Sequence, residues 1–128
     1  MLQAVAEHCG IDSPLVPKIA TGFCSGVSRT NGMCGAVSGG IMALGLVLGR
    51  ESSNVTVDDA YSKVQEFLNS FELQYGARNC IELTGCDLST GEGRERFKKE
   101  GMKNKCQEFT GSAARIAAEI AGRKTAGR

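Results

Sequence analysis

The sequence predicts an all-α fold, a compact bundle of about five to six helices around a central, apolar, glycine-rich helix at about residues 34–48. Three observations predict it. No segment alternates apolar and polar residues at period two, the pattern of a half-buried strand. Residues 57–75 and 102–121 instead repeat apolar side chains at three- and four-residue steps. Charge is also unevenly placed: residues 1–56 carry six of the 29 charged side chains, and between Ile19 and Gly49 the one charge is Arg29. The first half therefore reads as core and the second as its amphipathic jacket. At 128 residues, with no fixed-period repeat or Pro-rich linker, one domain over 1–128 is expected, its last few residues frayed.

The elements follow in order. Leu2 to Cys9 reads as a short helix stopped by Gly10. Asp12-Ser13-Pro14 supplies a cap and a first-turn proline for a second helix ending near Gly22. Phe23 to Met33 reads as a glycine-punctuated loop. Cys34 to Leu48 is apolar on almost every side, as a helix surrounded by others must be, and Gly35, Gly39, Gly45 and Gly49 would let other backbones approach it. Thr56 and Asp59 make a capping-box-like start for a helix whose seam is Val57, Ala60, Val64, Phe67, Leu68, Phe71 and Tyr75, closed by Gly76. Asn79 opens a short helix that Gly85 closes, and Ser89 to Gly101 reads as a loop and a charged helix. The last long helix packs through Met102, Cys106, Phe109, Ala113, Ile116 and Ile120.

Composition narrows the function classes. A net charge of +1 removes the basic excess on which nucleic-acid and anionic-membrane binding rely. The most apolar stretch, Ala36 to Leu48, falls short of the roughly 20 residues a membrane span requires, and Met1 to His8 lacks the form of a signal peptide. The expectation is a cytoplasmic protein with no membrane insertion and no nucleic-acid partner, whose cysteines stay reduced. Six Cys is about half the density of a small disulfide scaffold. There is no Cys-x-x-Cys, no Gly-x-Ser-x-Gly, and no Walker-type or dinucleotide glycine motif. The basic run Lys98-Lys99 with Lys103 and Lys105 is interleaved with Glu and reads as a solvated helix face.

Chemistry is left to sulfur. Cys34 opens the central helix, where unpaired N–H groups and the helix dipole favour a thiolate and would lower its pKa, which makes it a nucleophile candidate. The competing reading is a small buried hydrophobe. Arg29, five residues earlier, either folds back to favour that thiolate or orient an anionic ligand, or is a solvated loop tip. Cys80 sits at the first helical position after Asn79, and Cys106 falls on the inward seam of the last helix. Cys9, Cys24 and Cys86 carry no such positional logic.

Cys34-Gly35-Ala36-Val37-Ser38-Gly39, with its apolar continuation to Leu46, resembles the CGAxxG signature of the family named for its C_GCAxxG_C_C cysteine pattern. Ile19 to Phe23 with Gly26 and Arg29 is similar to the glycine-rich approach to that motif, Cys80 to Gly85 to the third-cysteine region, and Cys106 with Ala113-Ala114 to the fourth. Members carry an early cysteine just before a Gln-Ala-Val segment, whereas here Met1-Leu2 precedes Gln3-Ala4-Val5. The resemblance implies a small helical cytoplasmic protein with thiol redox or metal chemistry, often encoded near transporter genes.

Three functions are therefore weighed. The leading one is a thiol redox protein with Cys34 as nucleophile and Cys80 or Cys106 as resolving thiol, serving a small-molecule or protein thiol/disulfide partner, with Gly35, Gly39 and Arg29 lining the ligand site. The second is a site for an iron-sulfur cluster, zinc or another soft metal on Cys34, Cys80 and Cys106 with one extra ligand, from Cys24, an external group or a partner subunit. The third is a helical interaction domain whose thiols only pack.

Overall fold

The computed structural model describes residues 1–126, so the expected frayed C-terminal tip lies outside the described residues. The described chain is helical, with no strand among the described residues. Helix α1 (Leu2–His8) ends at Gly10, which takes φ 77°. Helix α2 (Leu15–Ala20) begins after Ser13-Pro14, with the Ser13 hydroxyl accepting the Leu15 N–H, and runs into a 3₁₀ turn at Thr21–Phe23.

The segment expected to be a loop is instead a left-handed helical turn, α3 (Cys24–Arg29). Ser25, Gly26, Val27 and Ser28 all have φ between 51° and 63°, and Arg29 and Asn31 are also at positive φ. Each non-glycine residue held this way costs about 1–2 kcal/mol. Local hydrogen bonds offset the cost: Ser28 Oγ donates to Gly22 O at 2.7 Å, Thr30 Oγ1 to Val27 O at 2.8 Å, and Gly32 N to Gly26 O at 3.0 Å. Asn31 then ties the turn to Asp87 with a 3.0 Å bond.

Helix α4 (Gly35–Leu48) is central, packed against α1, α3, α5 (Asp58–Tyr75) and α8 (Met102–Ala126). Val37, Ala43 and Leu44 are sealed inside it. Gly39 lies under Met1, and Gly40 lies under the face of Phe67, whose ring occupies the space a Cβ would need. Gly45 faces open space, and a Cβ at Gly49 would meet only the helix's own Gly45 carbonyl, so neither serves the expected close approach.

Helix α5 buries Phe67 and Phe71 and closes at Gly76, φ 81°. Its start differs from expectation: Val57 holds the cap position without a side-chain cap bond, and Thr56 Oγ1 accepts instead from Asp58 N at 3.3 Å. Phe71, Tyr75 and Phe109 form an aromatic cluster with centroids 4.8–6.3 Å apart, and the Tyr75 hydroxyl meets Ser112 Oγ at 2.6 Å. Helix α6 (Cys80–Thr84) closes at Gly85, φ 70°. Helix α7 (Gly91–Lys99) is capped by Thr90, whose hydroxyl accepts from Gly93 N at 2.9 Å. No helix among the described residues is long and apolar enough to cross a membrane.

Candidate functional site

Two helix starts are clamped side by side. Met33 and Asn79 form a lone antiparallel bridge, in which Cys34 N donates to Arg78 O and Cys80 N to Gly32 O, each at 2.8 Å. The bridge fixes the backbone immediately before α4 and α6, so both cysteines are held by main-chain bonds as well as by packing. Cys34 is the N-cap residue of α4 and not its first helical residue, and Cys80 is the first residue of α6. The remaining wall comes from the left-handed turn. Gly26 is pressed against Cys80 so closely that a Cβ would lie 2.5 Å from the Cys80 Cβ. Its φ of 63° asks for glycine as well, so two independent constraints meet at one position.

These elements enclose a cavity of about 310 Å³ lined by Cys24, Cys34, Cys80 and Cys106, with Gly35, Phe97 and Thr110 among its other walls. Cys34 and Cys80 are buried, Cys106 is half-buried and Cys24 is exposed, and all are free thiols. Three sulfurs singled out from sequence thus come from three separate helices to one cavity. Gly35 lines it too, because α4 approaches the Cys24 backbone there: a Cβ on Gly35 would stand 3.5 Å from Cys24 Cα. Gly39 does not line it, being covered by Met1 and Leu2. Arg29 does not reach it either; it is exposed and lines a neighbouring cleft.

Two further sulfurs are placed by the fold. Cys24 lines the cavity although nothing in its spacing pointed there; the signal would have been its place in the glycine-rich approach, which folds back on α4 through Gly35. Cys86 is sealed at 1 % exposure in a small second core with Cys80 and Leu88. Its thiol reaches Thr84 O at 3.6 Å and Glu100 Oε2 at 3.8 Å. Cys9 and His8 are exposed.

The electrostatics correct one expectation. Burial raises the Cys34 pKa, and although the main-chain amides of Ala36 and Val37 favour its thiolate, the loss of water outweighs them. Burial also raises Cys80, followed by the charge of Cys34, with the Thr84 hydroxyl opposing and Cys86 adding a little. Cys106 is pushed up to about 11, by burial first and then by thiolates on Cys34, Cys80 and Cys86. Both Cys80 and Cys106 feel a charge on Cys34, so a first ionisation at Cys34 makes a second one in the cavity harder.

Sharing a cavity is not the same as forming a ligand set. Among the described residues, no group of three or more His, Cys, Asp or Glu side chains is arranged to hold a metal ion. Met1 also lines the cavity.

Residues 1–120 match the family model described as "Putative redox-active protein (C_GCAxxG_C_C)". No curated protein and no solved structure matches the chain.

Proposed function

Since the chain belongs to the C_GCAxxG_C_C family of redox-active proteins, we propose that it is a thiol–disulfide redox protein in which Cys34 is the nucleophile and Cys80 the resolving thiol. The observation that supports this reading is the shared cavity, to which α4, α6 and α8 each bring a free thiol. The Cys34 thiolate attacks one sulfur of an external disulfide, forming a mixed disulfide and releasing one thiolate. Cys80, once deprotonated, attacks the Cys34 sulfur and releases the second. Two electrons and two protons pass from the protein thiols to the partner, which leaves as two thiols. Cys80 is favoured as resolving group because the bridge at Met33 and Asn79 fixes its backbone relative to that of Cys34. Cys106 sits at the third wall, where its neutral thiol keeps a second negative charge away from Cys34.

Raised pKa values set the pace of this chemistry. At neutral pH the thiols are protonated, so exchange is slow there and accelerates with pH as the reactive thiolate fraction grows. The test is a redox titration in dithiothreitol buffers, with free thiols counted by alkylation and mass spectrometry. The expected result is one two-electron transition, absent in Cys34→Ser. A protein that keeps every thiol free across the titration refutes the reading.

A further inference from the structure

Beside the thiol cavity lies a second concavity, a cleft of about 420 Å³ that shares Ser25, Leu88 and Phe97 with it. Its rim is cationic. Arg29 comes from the left-handed turn, Arg94 and Lys98 from successive turns of α7, and Lys103 from the start of α8, which Gly101 at φ 65° swings across from α7. No Asp or Glu lines the cleft, and among the described residues none of these four cations is in an ion pair. Arg94 is fixed by donating from Nη1 to Leu88 O at 2.9 Å, with other guanidinium donors left over. A charged helix face is ordinarily only solvated, but here four like charges from three elements converge on an apolar floor in a chain whose net charge is +1. A concave wall focuses the field of such charges, so an anion seated among them is attracted by all four.

We propose that this cleft is the anion-binding subsite of the thiol centre, taking the carboxylates of a small, multiply charged disulfide while its sulfurs reach into the cavity beyond Ser25. The proposal rests on the thiol–disulfide reading above and adds the class of substrate. The cleft is of ordinary ligand size, roughly 300–1,000 Å³, and the guanidinium fork of arginine suits a carboxylate. The reaction balances as before: two protein thiols and one anionic disulfide give one protein disulfide and two anionic thiols.

The fully reduced protein is mixed at low ionic strength with oxidised glutathione, which is anionic, and separately with neutral 2-hydroxyethyl disulfide. The two rates of thiol loss are then compared. The anionic disulfide is expected to react about tenfold faster, with the ratio falling toward one in Lys98→Gln/Lys103→Gln and retained in Lys99→Gln, whose side chain is outside the cleft. A ratio near one in the unmodified protein, or a ratio that survives loss of Lys98 and Lys103, overturns the proposal. A second arm is independent of the redox step. Reduced glutathione titrated into Cys34→Ser protein should give saturable NMR shifts at Arg94 and Phe97 that weaken at least about tenfold in Lys98→Gln/Lys103→Gln. Saturable binding without protein oxidation would contradict the redox reading and leave the subsite standing; oxidation without charge preference or binding would do the reverse.

Discussion

Around Phe67, Phe71 and Phe109 long helices close on side chains that are almost wholly buried, whereas around Cys34, Cys80 and Cys106 the start of α4, the short α6, the first turns of α8 and a left-handed turn surround a cavity of about 310 Å³. The aromatic region is held by packing. In the thiol region packing is joined by main-chain bonds and a glycine contact that position Cys34 and Cys80: two 2.8 Å bonds across the bridge, and Gly26 against Cys80. The difference teaches how a small helical protein keeps reactive groups together without filling the space between them. Backbone clamps position Cys34 and Cys80 and leave room beside them for a second reactant.

The comparison can be broken most severely at the aromatic side. Phe67→Ala should destabilise the fold by roughly 3–5 kcal/mol, because it removes a fully buried ring and leaves a void over Gly40; urea denaturation measures it, and a loss under about 1 kcal/mol would show that the core collapses freely. The next effect lies in the thiol region. Linking Cys34 to Cys80 closes a 46-residue separation and should raise stability by about 2–4 kcal/mol, read as the difference between oxidised and reduced denaturation curves. Gly26→Ala should cost about 1–2 kcal/mol from its positive φ, with a further loss from the clash with Cys80, and it should slow disulfide formation more than it lowers the melting temperature of the aromatic core.

The mildest effect is the pH dependence of the reduced protein. Cys106 rises from an ordinary 9.0 to about 11 in the fold. Between those values the unfolded chain has given up a proton that the folded chain still holds, so the stabilisation is complete below about pH 9 and lost as pH climbs toward 11. Thermal melts at pH 8 and pH 10.5 should differ more for the reduced parent protein than for Cys106→Ala. An equal pH dependence in the two would remove Cys106 from the account.

What could be read from sequence was whatever depends on neighbours along the chain. Gly10, Gly76 and Gly85 end their helices at positive φ where the pattern placed them, and the Phe67/Phe71 and Phe109/Ala113 seams are buried as their spacing requires. The left-handed turn was hidden because Ser25, Val27 and Ser28 have no local preference for that conformation; bonds from Ser28 to Gly22 and from Asn31 to Asp87 hold it. The place of Cys34 at a helix start was legible, but the direction of its pKa was not, since amides are local and burial is a property of the whole fold. The burial of Cys86 was not legible because it depends on how Leu88, Phe97 and Met102 pack around it, and Cys24, weighed only as a possible further metal ligand, is brought to the cavity by the close approach at Gly35.

The central claim is that Cys34 exchanges electrons through a thiol brought beside it by the fold. Reducing the protein fully, oxidising it with one equivalent of disulfide, trapping with an alkylating agent at low pH and mapping the linked peptides tests this directly. The account predicts a Cys34–Cys80 linkage within one chain, reversible with dithiothreitol. A Cys34 left alkylated, with disulfides confined to Cys9 or Cys24 between chains, would contradict it.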